Sequence, residues 1–330
     1  MPVAVHVPRH LGEAVLSLPA LRGLADSLDE ELLICAPEPA ATVLRGQGRW
    51  RVGKPRGTEP AVLLSGSLRA ALKAWRAPLR VGRATDHRGP LLTHPVPEAE
   101  RLQPATGEGR PLPAMLPREH QGDAYAAVAA AAVAAQGESW EGPGSAEVGL
   151  DRADRDAGLA AWESLGCPAL LLHPWAQGFA RKRWPVARWV ELGRALQARG
   201  VPFAVTGGPS GPDAALAREV ASSLGAPVAA GDDCLSIPVW AAVSRRVRAS
   251  ILPDTGLAHL AVAAGAAVVV LFGPTDPQRH GPRGPGRCVS VEQPLACRPC
   301  YGARCGHDGV CLTGIDAAAV LEAVDRVGTA

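Results

Sequence analysis

Pro253-Asp254-Thr255-Gly256-Leu257-Ala258-His259, followed closely by Phe272-Gly273-Pro274-Thr275-Asp276-Pro277, gives the first reading of the fold of this chain. The apolar run Ala249-Ser250-Ile251-Leu252 stops at Pro253. An acid, a hydroxyl and a glycine follow, and then an alanine-rich segment reads as helix. A strand that turns into a helix N-terminus offers free backbone N–H groups and the positive end of the helix dipole, both of which favour an anion. His259 lies four residues after Thr255, so both can face one side of the first turn. A second strand, Ala267–Phe272, ends in a Gly-Pro-Thr turn expected at the same sheet edge. Two such turns in succession point to a cleft for a phosphorylated ligand.

Strand-like and helix-like segments alternate outward from this stretch. In the first half, strands are expected at Val3–Val7, Leu32–Cys35, Ala61–Leu64 and Leu79–Val81. Helices are expected at Ala14–Leu28 (kinked at Pro19), Ala40–Arg45, Leu68–Arg76 and Glu119–Gln136. Pro95–Pro117 reads as a long loop. Gly137–Gly149, rich in Gly, Pro, Ser and Glu, reads as an inter-domain linker. It divides the chain into domains 1–150 and 151–330. The alternation then restarts: helix Arg152–Leu165, strand Ala169–His173, helix Val186–Arg199, strand Phe203–Thr206, helix Asp213–Leu224, helix Ile237–Ser244, strand Ala249–Leu252, helix Leu257–Ala264, strand Ala267–Phe272 and helix Asp316–Val327. This predicts an α/β chain of two doubly wound parallel-sheet domains, with ligands beyond the C-terminal strand ends and across a cleft.

Hydrophobic residues make up 47% of the 330, enough for a sizeable core. A net charge of +2, with 4% aromatics, argues against a nucleic-acid partner. No apolar segment reaches membrane-spanning length. The start of the chain lacks the charged and apolar regions of a signal peptide, which predicts a cytoplasmic protein without a transmembrane segment. Lysine occurs only at 54, 73 and 182, and asparagine not at all. A thermophile and a GC-rich genome both account for this, but Lys182 falls in a motif.

That motif is His173-Pro174-Trp175-Ala176-Gln177-Gly178-Phe179-Ala180-Arg181-Lys182-Arg183-Trp184-Pro185. A solvated basic loop is one reading. The other is a diphosphate site, with Lys182 a compact charge and Arg183 a bidentate fork. Gly207, after the next strand, permits close backbone approach to a ligand or simply turns the chain. Asp213 either accepts from ribose hydroxyls or caps its helix. His259 is a core histidine or a polar group beneath the phosphate turn. Glu13, in His10-Leu11-Gly12-Glu13, either stabilises the first helix N-terminus or serves as a general base. Cys297, Cys300, Cys305 and Cys311, flanked by His307, suggest a structural metal more than disulfides, although the spacing is not that of a zinc ribbon. Cys35, Cys167, Cys234 and Cys288 read as isolated small hydrophobes.

Together these segments resemble glycosyltransferase family 9, the bacterial ADP-heptose:lipopolysaccharide heptosyltransferases, most of all the heptosyltransferase II branch. Gly12-Glu13 with Leu18-Pro19-Ala20-Leu21 is similar to the family's N-terminal G-D…P-A-L element. Ser67–Arg76 and Gly89–His94 resemble first-domain segments, and Lys182-Arg183-Trp184-Pro185 resembles its K-R-W-P element. Asp254-Thr255-Gly256-x2-His259 with Phe272-Gly273-Pro274-Thr275 is the most specific pair, and the C-terminal cysteines are also familiar.

The resemblance implies a GT-B fold, two Rossmann-like domains facing a cleft, with acceptor on the first domain and donor on the second. It leaves room for the last helix, 316–327, to pack back on the first domain. It implies inverting transfer that requires no cofactor or metal. The donor would be a nucleotide-sugar, ADP-heptose, and the acceptor a lipopolysaccharide-core glycan, another glycolipid or a saccharide, with peripheral inner-membrane contact left open. Glu13 takes the catalytic aspartate's place. Lys182 falls on the donor-phosphate lysine, with Arg183 beside it. Thr255 and Gly256 would offer N–H groups to the diphosphate, Asp254 and His259 lie beside the sugar, Asp213 matches the acid that holds the ribose, and Gly207 counts with the donor-binding residues. The base is one methylene longer than the family's aspartate, Trp175 replaces a usual glycine, and Gly178 is displaced by one position. Two rival readings stay open: a sugar-nucleotide epimerase or hydrolase on the same fold, and a non-catalytic sugar-nucleotide-binding protein. A nicotinamide oxidoreductase is disfavoured by the missing G-x-G-x-x-G.

Overall fold

Short apolar runs buried on both faces build each sheet, as parallel strands covered by helices require. The structure, a computed structural model, describes residues 1–85, 87–97, 119–177, 182–301, 305–307 and 309–328. The chain divides into two units, Met1–Ala146 and Glu147–Ala330.

The first unit runs β1 (Val3–His6), α1 (Leu11–Ser27), β2 (Leu32–Cys35), α2 (Ala40–Leu44), β3 (Trp50–Val52), β4 (Ala61–Leu63), α3 (Leu68–Lys73), β5 (Arg80–Arg83), β6 (His94–Val96) and α4 (Gln121–Ala134). Its strands pair in parallel in the order β3-β2-β1-β4-β5-β6. In the central register Val5 faces Ile34 on one side and Val62 on the other.

The second unit runs α5 (Arg152–Ser164), β7 (Leu170–Leu172), α6 (Val186–Ala198), β8 (Phe203–Thr206), α7 (Gly211–Leu224), β9 (Val228–Ala229), α8 (Ile237–Ser244), β10 (Ala249–Pro253), α9 (Gly256–Ala263), β11 (Ala267–Phe272), α10 (Pro277–His280), β12 (Arg287–Glu292), α11 (Val310–Thr313) and α12 (Ala317–Gly328). Its parallel order is β12-β11-β10-β7-β8-β9. Alternate residues feed two cores: Leu170, Leu172, Ile251, Val269 and Leu271 on one face, and Leu171, Leu252, Val268 and Val270 on the other.

Counted from the first strand of each unit, both orders are 3-2-1-4-5-6, the doubly wound Rossmann order. In such a sheet the crossovers diverge between strands 1 and 4, and the loops there open into a crevice at the C-terminal strand ends. That point falls between β1 and β4 in the first unit and between β7 and β10 in the second.

Several expectations are corrected. β3, β6, β9 and β12 are strands that the apolar pattern does not reveal. Pro95, expected to open the loop, lies inside β6, and the rest of that loop from residue 98 on lies outside the described residues. α1 begins at Leu11, ahead of the expected Ala14, and holds Pro19 within it. The linker lies along α1: the Arg22 guanidinium donates to the Ser145 carbonyl at 2.6 Å and Gly144 N–H to the Pro19 carbonyl at 2.9 Å. The division between the units follows Ala146, inside the segment read as the linker. α12 buries Val320, Leu321, Val324 and Val327 in a core of the second unit. Among the described residues no helix is long and apolar enough to cross a membrane.

Candidate active site

Three loops of the second unit meet where its sheet changes winding direction. After β7 the chain runs His173 to Gln177 and reappears at Lys182 and Arg183; Gly178 and Arg181 lie outside the described residues. Lys182 reaches the loop after β10, where its Nζ stands 2.6 Å from Asp254 Oδ2. The loop after β11 supplies Thr275, whose hydroxyl donates to the same oxygen at 2.7 Å. Asp254 is held at the strand end by its own N–H, which donates to Leu271 O at 3.2 Å.

Burial pushes the Asp254 carboxyl up, but Lys182, His259 and the Thr275 hydroxyl together hold it below its ordinary value. A carboxylate only 9% exposed is thereby kept ionised and pins the lysine. An ammonium has three N–H donors, and the carboxylate contact leaves donors for phosphate oxygens.

Thr255 is the N-cap of α9 in an extended conformation and makes no side-chain cap bond; Gly256 is the first helical residue. The N-terminus therefore presents uncapped N–H groups next to the ion pair, the arrangement that suits an anion. His259 is buried one turn further in.

Arg183 lies over the Trp175 ring, its guanidinium carbon 3.5 Å from the centroid, and its Nε donates to Ala176 O at 3.3 Å. The basic loop is thus structured, with Trp175 as a platform for an arginine fork. Trp184 anchors the loop's end in the core through Nε1, which donates to Ile315 O at 3.0 Å.

At the end of β8 the glycines answer to packing. A Cβ on Gly207 would stand 2.6 Å from the Cβ of Ala217 and 3.2 Å from that of Ala230, so this glycine lets α7 close on the strand. A Cβ on Gly208 would meet Asp213 Oδ2 at 2.6 Å. Asp213 sits in the first turn of α7 behind the N-cap Ser210. Its Oδ1 is buried and has no hydrogen-bond partner among the described residues. A buried acceptor left open in the first turn of a helix that follows a strand end is what an incoming hydroxyl would satisfy. Nearby, the buried His173 is held below its ordinary value by burial, opposed by Asp213 and by its hydrogen bond to Thr206. Trp240 Nε1 donates to that same Thr206 hydroxyl at 3.0 Å.

Three residues absent from the expected set join the cluster: Thr275, His280 and Tyr301. His280, on α10, is pushed down to about 4 by burial and by Arg279, and it is sensitive to Asp254, His259 and Lys182. Tyr301 stacks edge-on with His280 at 5.5 Å, and its hydroxyl accepts from Asp276 N–H at 3.2 Å. Burial lifts its phenol to about 12. Position after the second turn could have marked Thr275; Tyr301 stands hidden beside Cys300.

The cysteine segment braces this turn. Cys300 and Tyr301 N–H groups donate to Pro274 O at 3.1 and 3.2 Å, and Arg298 bonds Gly273 O at 2.5 Å and Thr275 O at 3.3 Å. Cys297, Cys300 and Cys311 are free thiols, and Cys305 Sγ accepts from His307 and Gly309 N–H groups at 3.4 Å. Among the described residues, no three His, Cys, Asp or Glu side chains are placed to hold a metal ion, so the structural metal suggested by the spacing finds no formed cage.

Glu13 belongs to the first unit. It is half-buried in the first turn of α1, at the strand end corresponding to β7, behind an N-cap, His10, that makes no side-chain cap bond. The second unit thus gathers Lys182, Arg183, Asp254, Thr255, Gly256 and His259 at neighbouring strand ends, with Gly207 and Asp213 at the next.

The model of Glycosyltransferase family 9 (heptosyltransferase) matches residues 118–310. The chain is 34% identical over 167 residues to lipopolysaccharide heptosyltransferase 1 of Pseudomonas aeruginosa; the match covers 49% of this chain and 42% of that relative's length. Its fold is similar to that of the family 9 glycosyltransferase of Veillonella parvula, with a TM-score of 0.74, 18% identity and coverage of 99% of this chain and 96% of that one. It is also similar to E. coli ADP-heptose lps heptosyltransferase II, with a TM-score of 0.72, 18% identity and coverage of 99% and 98%. These likenesses show the fold, two Rossmann-like sheets of the GT-B type.

Proposed function

The chain belongs to glycosyltransferase family 9, and on that premise we propose that it transfers heptose from ADP-heptose to a hydroxyl of a lipopolysaccharide-core glycan, in the cytoplasm and with inversion. The observation that carries this reading is the Lys182–Asp254–Thr275 network beside the uncapped N-terminus of α9. It supplies a fixed cation and free N–H groups where a diphosphate leaving group gains charge. Arg183 adds a fork to the same loop, and the open Asp213 oxygen takes a ribose hydroxyl.

Glu13 takes the proton from the acceptor hydroxyl. The oxygen attacks the anomeric carbon from the face opposite the diphosphate, the bond between that carbon and the phosphate oxygen breaks, and ADP leaves with the electron pair. Lys182 and the α9 N-terminus meet the departing charge, a role for which other transferases use a divalent ion, so turnover should persist in EDTA.

The test follows ADP release from ADP-heptose with and without a heptose-deficient lipopolysaccharide core. Glu13→Gln should lower turnover by about 10²–10⁴-fold while donor binding, read by thermal shift, stays intact. Undiminished turnover in that variant would remove Glu13 as the base. Acceptor-independent ADP release by the native protein would point to a hydrolase.

A further inference from the structure

The second unit has a basic recess at the end of its sheet opposite the donor loops. Arg248 precedes β10, Ala266 precedes β11 and Arg287 opens β12, so the recess lies where these strands begin. Asp254 and Thr275 follow the other ends of β10 and β11. The recess holds about 390 Å³, the size of a small-molecule site rather than of a few waters. Its lining includes Arg245, Arg248 and Arg287 and no acidic residue.

Backbone bonds fix its walls. Arg248 N–H donates to Ala169 O at 2.8 Å, Gly286 N–H to Val262 O at 2.8 Å and Arg287 N–H to Ala266 O at 3.1 Å. A Cβ on Gly286 would collide with the Ala266 carbonyl oxygen, so a glycine is needed for the turn before β12 to press against the chain leaving α9.

The three cations are not equivalent. Arg248 is accounted for: its Nη2 donates to Asp325 Oδ1 at 2.8 Å and to Val324 O at 3.3 Å near the end of α12, and Arg199 shares that carboxylate at 3.7 Å. The guanidinium groups of Arg245 and Arg287 have no partner among the described residues. The C-terminal end of α8, which Arg245 caps, offsets part of one charge, but no carboxylate lines the cavity to answer either group. Like charges gathered there repel, and a bound anion turns that repulsion into attraction.

We propose that this recess binds a soluble small molecule bearing a diphosphate, at a site separate from the donor turns. Arg245 and Arg287 each present a planar fork of N–H donors that pairs bidentately with phosphate oxygens. Val247, Ala267 and Pro285 give the cavity an apolar side for the body that carries the diphosphate. Occupancy stabilises the second unit by mass action, including the two strands that hold Asp254 and the turn of Thr275. The site stands whether or not the proposed transfer is correct.

Calorimetric titration of the intact protein with inorganic pyrophosphate, without divalent ions, tests it. The native chain should show two binding events, one at the donor turns and one in the recess. Arg245→Gln with Arg287→Gln should weaken the second by about tenfold or more and leave the first, whereas Lys182→Met should weaken the first and leave the second. Both arginines are exposed, so the ligand-free double variant should melt no lower than the native chain, and Arg287→Gln alone gives the same reading if the pair fails to fold. A single native event that the arginine variants abolish would keep this site and remove pyrophosphate from the donor turns. No binding by the native chain, binding that the arginine variants leave unchanged, or one event lost equally in the arginine and Lys182 variants would each overturn the proposal.

Discussion

Lys182→Met separates the stabilising from the chemical role of the central ion pair. Nζ and Oδ2 stand 2.6 Å apart with side chains 19% and 9% exposed. Removing one partner of a buried pair strands the other charge and costs about 3–5 kcal/mol, and the residual exposure of the lysine places the loss near the lower end, about 3 kcal/mol. A unit of roughly 180 residues has an unfolding entropy near 0.4 kcal/mol/K, so its transition should fall by about 8 °C. Asp254→Asn in the same background removes the stranded charge and should recover most of that loss, giving a coupling of at least about 2 kcal/mol in a double-mutant cycle. Turnover should stay down by about 10²–10³-fold in both, since the cation that meets the leaving group is gone.

The sign with pH is equally specific. In the native chain the folded Asp254 value lies below its ordinary 3.8, so its contribution is present above that pH and lost only as acid takes it through the depressed folded value. Without Lys182 the unfavourable burial of the carboxylate dominates and the folded value rises above the unfolded one. Stability is then lost as pH rises through that higher value, and the variant should melt higher at about pH 5 than at about pH 8. Calorimetry at the two pH values, with ADP release on the same preparations, reads all of this. A single-variant loss below about 1 kcal/mol, or a double variant less stable than Lys182→Met, would refute the reasoning.

Asp213→Ala removes a buried acceptor that has no partner among the described residues, so the ligand-free protein should melt no lower than the native one. Donor KM should nevertheless rise by about tenfold or more, and an unchanged KM would return Asp213 to a structural role. Gly207→Ala places a methyl 2.6 Å from the Cβ of Ala217 and should destabilise by about 1–3 kcal/mol in urea unfolding. An unfolding midpoint equal to that of the native chain would mean that α7 yields there without strain.

The eight inner strands are legible in the sequence because each is an apolar run closed by a turn, from Val3-Ala4-Val5 to Ala267–Phe272. The four that escaped, β3, β6, β9 and β12, are the outermost strand on either side of each sheet. An outer strand covers less core, and its residues show it: Arg51 is exposed in β3, His94 and Pro95 in β6, and Arg287 in β12. Lys182, Asp254, Thr255 and His259 were legible because strand-end turns announce themselves through glycine, proline and the switch to helical spacing. His280 and Tyr301 were not, since they enter through tertiary contact from a short helix and from a segment whose cysteines dominate its appearance. The two readings of Gly207 and of Asp213 turn on tertiary contact: the first packs against Ala217 and Ala230, and the second keeps a buried oxygen without a partner among the described residues.

The alanine-lined underside of α3 carries a dynamical meaning. Ala70 and Ala71, with Ala74 and Ala77 just beyond the helix, hold this segment to Ala61, Leu63 and Leu92, where an ordinary helix of similar length would use leucines. Such a small buried area makes it a natural candidate for local opening at a fraction of the cost of global unfolding, with amide protons that exchange early while those of β1 and β4 stay protected. Its opening would leave the register of the sheet beneath unchanged.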